Sequence, residues 1–409
     1  MASNAYLARQ AILDKNGEIF AYELLFRNSP ESTNAVIQSE ISATAIVLEN
    51  ALNNIGLPAL LGNTKGFINC SREMLLGKMT ALLEKNRFVL EILESVLPDE
   101  SVIEAVSHLH AQGFTFALDD FVFNKKNCEI FAPYFPYLSY VKIDIAENAP
   151  EARRKAVLYF KEKNIKVLAE KVETETEAKA CKAEGFDFYQ GFYFKRPEIL
   201  IGTQNQAEII SILYMLRFLR LHPPFRILCK EVAKYPEIEK SLIQYVISDS
   251  MYFKHTVPSI EDALEWIGLR NIHEWLMLLL YSRMAFNDTP KKSFFKTTSH
   301  KAKFTENIAT ILKPNNKTFS ANAFLLGILS QIKSATTITE ILKNLKITHI
   351  LEEALINHKG IYGKILELVE YKEQENTEKL NPLLRELSIS LKDLQKCEKE
   401  SLQWAIAKK

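Results

Sequence analysis

In the stretch Phe114–Phe121, F-T-F-A-L-D-D-F, mostly apolar residues run directly into two adjacent carboxylates, Asp119 and Asp120. An apolar run that does not alternate suits a strand covered on both faces, as in parallel sheets. Charge is excluded from the body of such a strand but fits its carboxyl end, which in α/β folds opens into the ligand crevice. Neighbouring carboxylates repel, so they raise one another's pKa or are held by cations. Aspartate is also a common turn former, so this pair alone does not separate a binding site from a strand that meets solvent.

The pattern recurs along the first half of the chain. Residues 6–27 read as two strands joined by the turn D-K-N-G-E, and residues 38–55 as an amphipathic helix closed by Gly56. Strands are then predicted at Gly66–Cys70, Phe88–Glu91, Phe114–Asp120, Tyr140–Ile145, Val167–Val172 and Phe186–Phe194. Helices are predicted between them near Arg72–Lys85 and at Ser101–Gln112, Glu151–Asn164 and Thr174–Glu184. Alternating units at this spacing predict a parallel sheet, and so many strands in so few residues suit a closed (β/α) TIM-like barrel. After His222-Pro223-Pro224 breaks a helix predicted at Thr203–Leu221, the rest reads as helix, including a segment at Ile338–Leu345. The expectation is a multidomain chain, with a barrel over residues 1–200 and an all-α domain over 201–409.

A formal net charge of +1 gives no global case for a nucleic-acid or membrane surface. The five cysteines are scattered, without metal-type spacing, which suits a reducing cytoplasmic compartment. The first residues lack a signal-peptide pattern, and the longest apolar runs are too short to span a bilayer.

Polar residues interrupt nearly every predicted strand at its carboxyl end: Glu23 and Arg27, Asn69, Glu91 with Glu94, Asp119 and Asp120, Lys142 and Asp144, Glu170 and Glu173, and Gln190. Brought to one mouth, that much negative charge needs cations, and oxygen ligands of this kind suit Mg²⁺ or Mn²⁺ over zinc. A paired-metal site flanked by lysine and arginine suits phosphodiester hydrolysis. No serine or cysteine with a partnered base is evident.

The segments Y-E-L-L-F-R (22–27), F-I-N-C-S (67–71), L-E-I-L-E (90–94), L-D-D-F (118–121), V-K-I-D (141–144), A-E-K-V-E-T (169–174) and Y-Q-G-F-Y-F-K-R-P (189–197) resemble the ordered motifs of the EAL domain, a family of cyclic di-GMP phosphodiesterases. The resemblance implies that Glu23, Asn69, Glu91, Asp119 and Asp120 are metal ligands and that Glu173 holds a metal or its water. It further implies that Arg27 binds ligand phosphate, Lys142 orients the attacking water, and Glu170 is the general base. Gln190 would sit behind the ligands or bond the water, and Glu94 would steady the loop after Asp120. A homodimer is expected from resemblance alone. Three departures stand out: E-L-L replaces E-A-L, Val122–Lys126 replaces a small flexible loop, and E-K-V-E replaces E-G-V-E, bringing Lys171 beside the acidic residues.

In the second half, V-P-S-I-E-D-A-L-E-W-I-G-L-R-N-I (257–272) resembles the HDOD module, a non-catalytic all-α relative of HD phosphohydrolases. Ser330-Gln331 stands where HD enzymes carry their His-Asp pair. The histidines of this half lie singly, and Trp266, Trp275 and Met277 read as core. The expectation is therefore a cyclic di-GMP signalling protein: a metal-dependent phosphodiesterase producing linear pGpG, with an HDOD regulatory or output domain that contacts protein partners. The alternative is a catalytically silent cyclic di-GMP receptor or an interaction scaffold.

Overall fold

The computed structural model describes residues 4–26, 40–77, 79–203, 209–249, 258–287, 294–331, 342 and 349–405. The chain divides into two compact units, residues 1–205 with 244–257, and residues 206–243 with 258–409.

The first unit is a closed barrel. Strands β1 (Asn4–Leu13) and β2 (Ile19–Phe26) form the predicted hairpin. At its turn the Asp14 carboxylate accepts from the backbone N–H groups of Asn16 and Glu18, and Gly17 takes φ +84°, which glycine adopts without steric cost. Strands β3 (Lys65–Cys70), β4 (Phe88–Ile92), β5 (Thr115–Leu118), β6 (Leu138–Asp144), β7 (Lys166–Glu170) and β8 (Phe188–Tyr189) follow. From β2 to β8 each strand pairs in parallel with the next. The hairpin makes β1 antiparallel to its neighbours, and its pairing with both β2 and β8 closes the ring. The last strand is shorter than the predicted Phe186–Phe194. A further strand, β9 (Glu198–Thr203), pairs with the first half of β1, where the sequence reading places a loop and the start of a helix. The alternation in E-I-L-I-G-T is too brief to announce a strand; an open edge of β1 supplies the partner.

Helix starts follow local capping chemistry. Asp99 caps Glu100–Ala111, Asn124 caps Lys125–Phe131, and Thr174 with Glu177 forms a capping box on Glu175–Glu184. The helix predicted near Arg72–Lys85 is instead a short helix, Arg72–Leu76, followed by a 3₁₀ turn, Met79–Leu82.

The second unit is helical throughout its described residues, as predicted. Ile260–Asn287 is broken at Gly268, whose φ of +72° leaves the helical region. Trp275 and Met277 are buried, but Trp266, read as core, is 39% exposed. Most of the helix predicted at Ile338–Leu345 lies outside the described residues. Helices Phe294–Leu312 and Lys317–Leu329 pack so closely that a Cβ on Gly327 would lie 2.5 Å from Ala302 Cα and 2.7 Å from Thr305 Oγ1. Gly327→Ala is therefore expected to destabilise this unit by roughly 1–3 kcal/mol through overpacking, although alanine favours a helix by about 1 kcal/mol. Urea unfolding followed by circular dichroism measures it; a gain in stability would show that the two helices have room to separate.

Candidate functional site

The barrel interior is built in two layers by the two-residue period of a strand. The lower layer takes one apolar side chain from each strand: Ile12, Ala21, Phe67, Val89, Ala117, Tyr140, Leu168 and Phe188, with Phe20 packed against them. Phe20 stacks on Phe188 at 4.2 Å between ring centroids, and Phe67 meets Tyr140 edge-on at 5.4 Å. Two residues toward the mouth, the same inward face carries Glu23, Asn69, Glu91, Asp119, Lys142, Glu170 and Gln190. On β1, which runs the other way, two residues toward the mouth means Gln10. An aromatic floor thus supports a ring of polar side chains, one from each strand.

Lys142 is the centre of that ring. Its ammonium lies 2.7 Å from Asp119 Oδ1, 2.8 Å from both Glu91 Oε1 and Glu170 Oε1, and 3.6 Å from Glu23 Oε1. Lys142 and Glu91 are essentially inaccessible to water, and Glu23, Asp119 and Glu170 are nearly so. Burial works against the lysine's charge, but the surrounding carboxylates outweigh it and hold the pKa well above the ordinary lysine value. Burial pushes the carboxyls of Glu91 and Glu170 well up, and neighbouring carboxylates add to it against the pull of Lys142. On the opposite side of the ring, Gln190 Nε2 donates to Glu23 Oε2 and, at 3.2 Å, to Gln10 Oε1.

The ring is not saturated by its own members. Asn69 Oδ1, Glu91 Oε2, Glu170 Oε2 and Gln190 Oε1 are buried without a hydrogen-bond partner. Buried oxygens left unpaired are costly, and oxygen donors of this type suit a hard divalent cation.

Above the ring the site becomes more exposed. Asp120 turns away from β5 with φ +44°, and carboxylate oxygens of Glu94, Asp119 and Asp120 lie within 4.8 Å of one another. Among the described residues this is the acidic group close-set enough to hold a metal, and none occurs in the helical unit. Lys171, with φ +57°, reaches Asp144 Oδ2 at 2.6 Å and Asp120 Oδ1 at 3.1 Å. Glu173, expected as a ligand, is exposed and outside the close-set group, and its N–H donates to Glu177. Arg27 lies outside the described residues.

The bulky loop 122–126 is anchored rather than loose. Phe123 packs edge-on against Tyr159 and Phe160 of helix Pro150–Glu162. Its N–H donates to Asn148 Oδ1 at 2.7 Å, while Asn148 Nδ2 donates to the carbonyls of Phe121 and Asp144. Asn148 therefore ties this loop to the end of β6. Sequence reasoning misses it, because a lone asparagine in a loop carries no motif; it also misses Gln10, whose face of β1 is set by the barrel register. Gly191 follows Gln190 because the backbone passes so near Val172 that a Cβ would lie 2.1 Å from its carbonyl oxygen.

A family model described as the EAL domain matches residues 6–197. An uncharacterised protein of Bacillus subtilis (strain 168), YuxH, is 26% identical over 407 residues, covering 98% of this chain and 97% of its own. Cyclic di-GMP phosphodiesterase CdgJ of Vibrio cholerae is 26% identical over 417 residues, covering 98% of this chain and 92% of its own. A standalone EAL protein from Vibrio cholerae O395, solved with c-di-GMP bound, is 24% identical; the match covers 47% of this chain and 91% of that one, with a TM-score of 0.36. Among the described residues no helix is long and apolar enough to cross a membrane. The ordered motifs and the two-layered barrel agree with the family match: residues 6–197 are similar to the EAL domain.

Proposed function

We propose that the barrel binds cyclic di-GMP at its polar mouth and hydrolyses one phosphodiester bond to give linear pGpG, with Mg²⁺ or Mn²⁺ bound. The observation that carries this reading is the buried ring in which Asn69, Glu91, Glu170 and Gln190 present unpaired oxygens beside a central lysine. Glu23, Asn69, Glu91 and Asp119 would hold the ion. When bound, such an ion neutralises phosphate charge and lowers the pKa of water. Glu170 Oε2, free of any hydrogen bond, takes the proton of the attacking water as a new P–O bond forms. Lys142 holds Glu170 Oε1 at 2.8 Å and so fixes the direction of the base. The P–O3′ bond breaks, and the 3′-oxygen takes a proton from solvent water and leaves as a hydroxyl. Arg27 would bind a ligand phosphate.

The helical unit is read as an HDOD-like regulatory or output domain. Ser330 Oγ donates to the Gly327 carbonyl and accepts from Gln331 Nε2, and neither residue offers the imidazole and carboxylate that an HD site needs. We divide the chain near residue 200, with the EAL barrel over 1–200 and the HDOD-like part over 201–409. The anchored loop and Lys171 favour a second reading, a receptor that binds the dinucleotide without cutting it. The deciding experiment is an assay for pGpG with Mg²⁺ and Mn²⁺ in turn, alongside calorimetry with cyclic di-GMP. Product that disappears with chelator is expected; binding without product would establish the receptor, and absence of both would reject the reading.

A further inference from the structure

The acidic mouth has two parts that differ in what neutralises them. The buried part keeps oxygens without partners, at Glu91 Oε2 and Glu170 Oε2. The other part, Asp120 at the rim and the buried Asp144, is already bridged by the ammonium of Lys171 at 3.1 and 2.6 Å, and Asp144 Oδ1 also accepts from the Ala146 N–H. Lys171 holds a left-handed backbone conformation, φ +57°. For a residue with a Cβ this costs on the order of 1–2 kcal/mol, and glycine is the usual occupant. The surroundings impose that conformation: the next residue is clamped by hydrogen bonds from Val172 N to the Gln190 carbonyl and from Tyr193 N to the Val172 carbonyl. The side chain reaches Asp144 at the end of the neighbouring β6 and Asp120 just beyond β5. Paired-metal hydrolytic sites place their ions about 3.5–4 Å apart, bridged or flanked by such carboxylates.

We propose that Lys171 takes the place of one divalent cation, so that this site binds one fewer ion than a paired-metal centre and keeps its Asp120 and Asp144 half neutralised by the protein itself. The proposal rests on the metal-dependent reading above. A tethered ammonium offers no coordination position for water or phosphate oxygen, so this half of the mouth binds charge without activating a nucleophile.

The test counts ions on the full chain. Wild type, Lys171→Gly and Lys171→Met are titrated with Mn²⁺ by calorimetry, and the bound ion is examined by electron paramagnetic resonance. Glycine suits the left-handed backbone, and methionine keeps the stem while removing the charge, so loss of fold in one variant does not leave the question open. The expected result is one additional Mn²⁺ per chain in both variants, with the exchange-coupled spectrum of a close Mn²⁺ pair, against an isolated-ion spectrum in wild type. Equal ion counts in all three proteins would overturn the role of Lys171 while leaving the metal-dependent reading intact. No Mn²⁺ binding to any of them would overturn both.

Discussion

Glu170→Gln lowers the rate of pGpG formation by roughly 10²–10⁴-fold, the usual worth of a positioned general base, and leaves the affinity for cyclic di-GMP nearly unchanged. The separation follows from the geometry. Glu170 Oε1 is engaged by Lys142 at 2.8 Å, and a glutamine carbonyl keeps that contact. What glutamine lacks is a second oxygen able to take a proton, and Oε2 is the atom without a partner. Burial keeps the carboxyl's pKa well above the ordinary glutamate value, which brings the base closer to the pH at which it must work. Product chromatography gives kcat and calorimetry gives Kd. An unchanged kcat would place the base elsewhere. Negligible turnover in wild type and variant alike, with binding intact in both, would select the receptor.

Lys142→Met costs the barrel about 3–5 kcal/mol at neutral pH, the range for breaking a buried ion pair from one side. Methionine fills nearly the same space, so the loss is electrostatic: Glu23, Glu91, Asp119 and Glu170 are left facing one another without their cation. The pH dependence has a definite sign. Glu91 and Glu170 have folded-state pKa values raised above the ordinary 4.5. Their contribution to stability is therefore fully present below about that pH and is lost as pH rises through the raised values. With the lysine gone those values rise further, so the deficit of the variant narrows toward acid and widens toward neutrality. Thermal melts across pH 4.5–8, with and without Mn²⁺, test this; added metal is expected to restore part of the loss at neutral pH. A variant as stable as wild type at pH 7.5 would show that water, and not Lys142, neutralises the ring.

Much of the architecture is legible because local signals agree with the global solution. D-K-N-G marks the hairpin turn, and each apolar run ending in a charged or amide residue marks both a strand and its mouth end. The same rule brings Glu23, Asn69, Glu91, Asp119, Lys142, Glu170 and Gln190 to one level of the barrel. It fails where direction or partnership is set by the fold. Gln10 lies at the mouth rather than the floor only because β1 is reversed, and β9 pairs where β1 has an edge to offer. Lys142 reads as a residue that orients water, but its ammonium lies among four carboxylates, an arrangement no spacing in sequence encodes. Glu173 matches its motif by position yet is exposed, since the backbone beyond Lys171 turns away toward helix Glu175–Glu184. In the helical half, the break at Gly268 is readable from I-G-L, whereas the exposure of Trp266 is not.

On one side β1 pairs with β2 over Leu7–Leu13. On the other it pairs with β9 over Asn4–Arg9 and with β8 only at Leu13. The cylinder therefore has a seam, and between those two patches it is stitched by side chains, Gln10 to Gln190 and Gln190 to Glu23. Such a seam is where local opening begins, since few backbone bonds need to break. Parting β8 from β1 would draw Gln190 off Glu23 in the same motion, so the stitching that keeps the wall shut also sets how Glu23 is presented to the cavity.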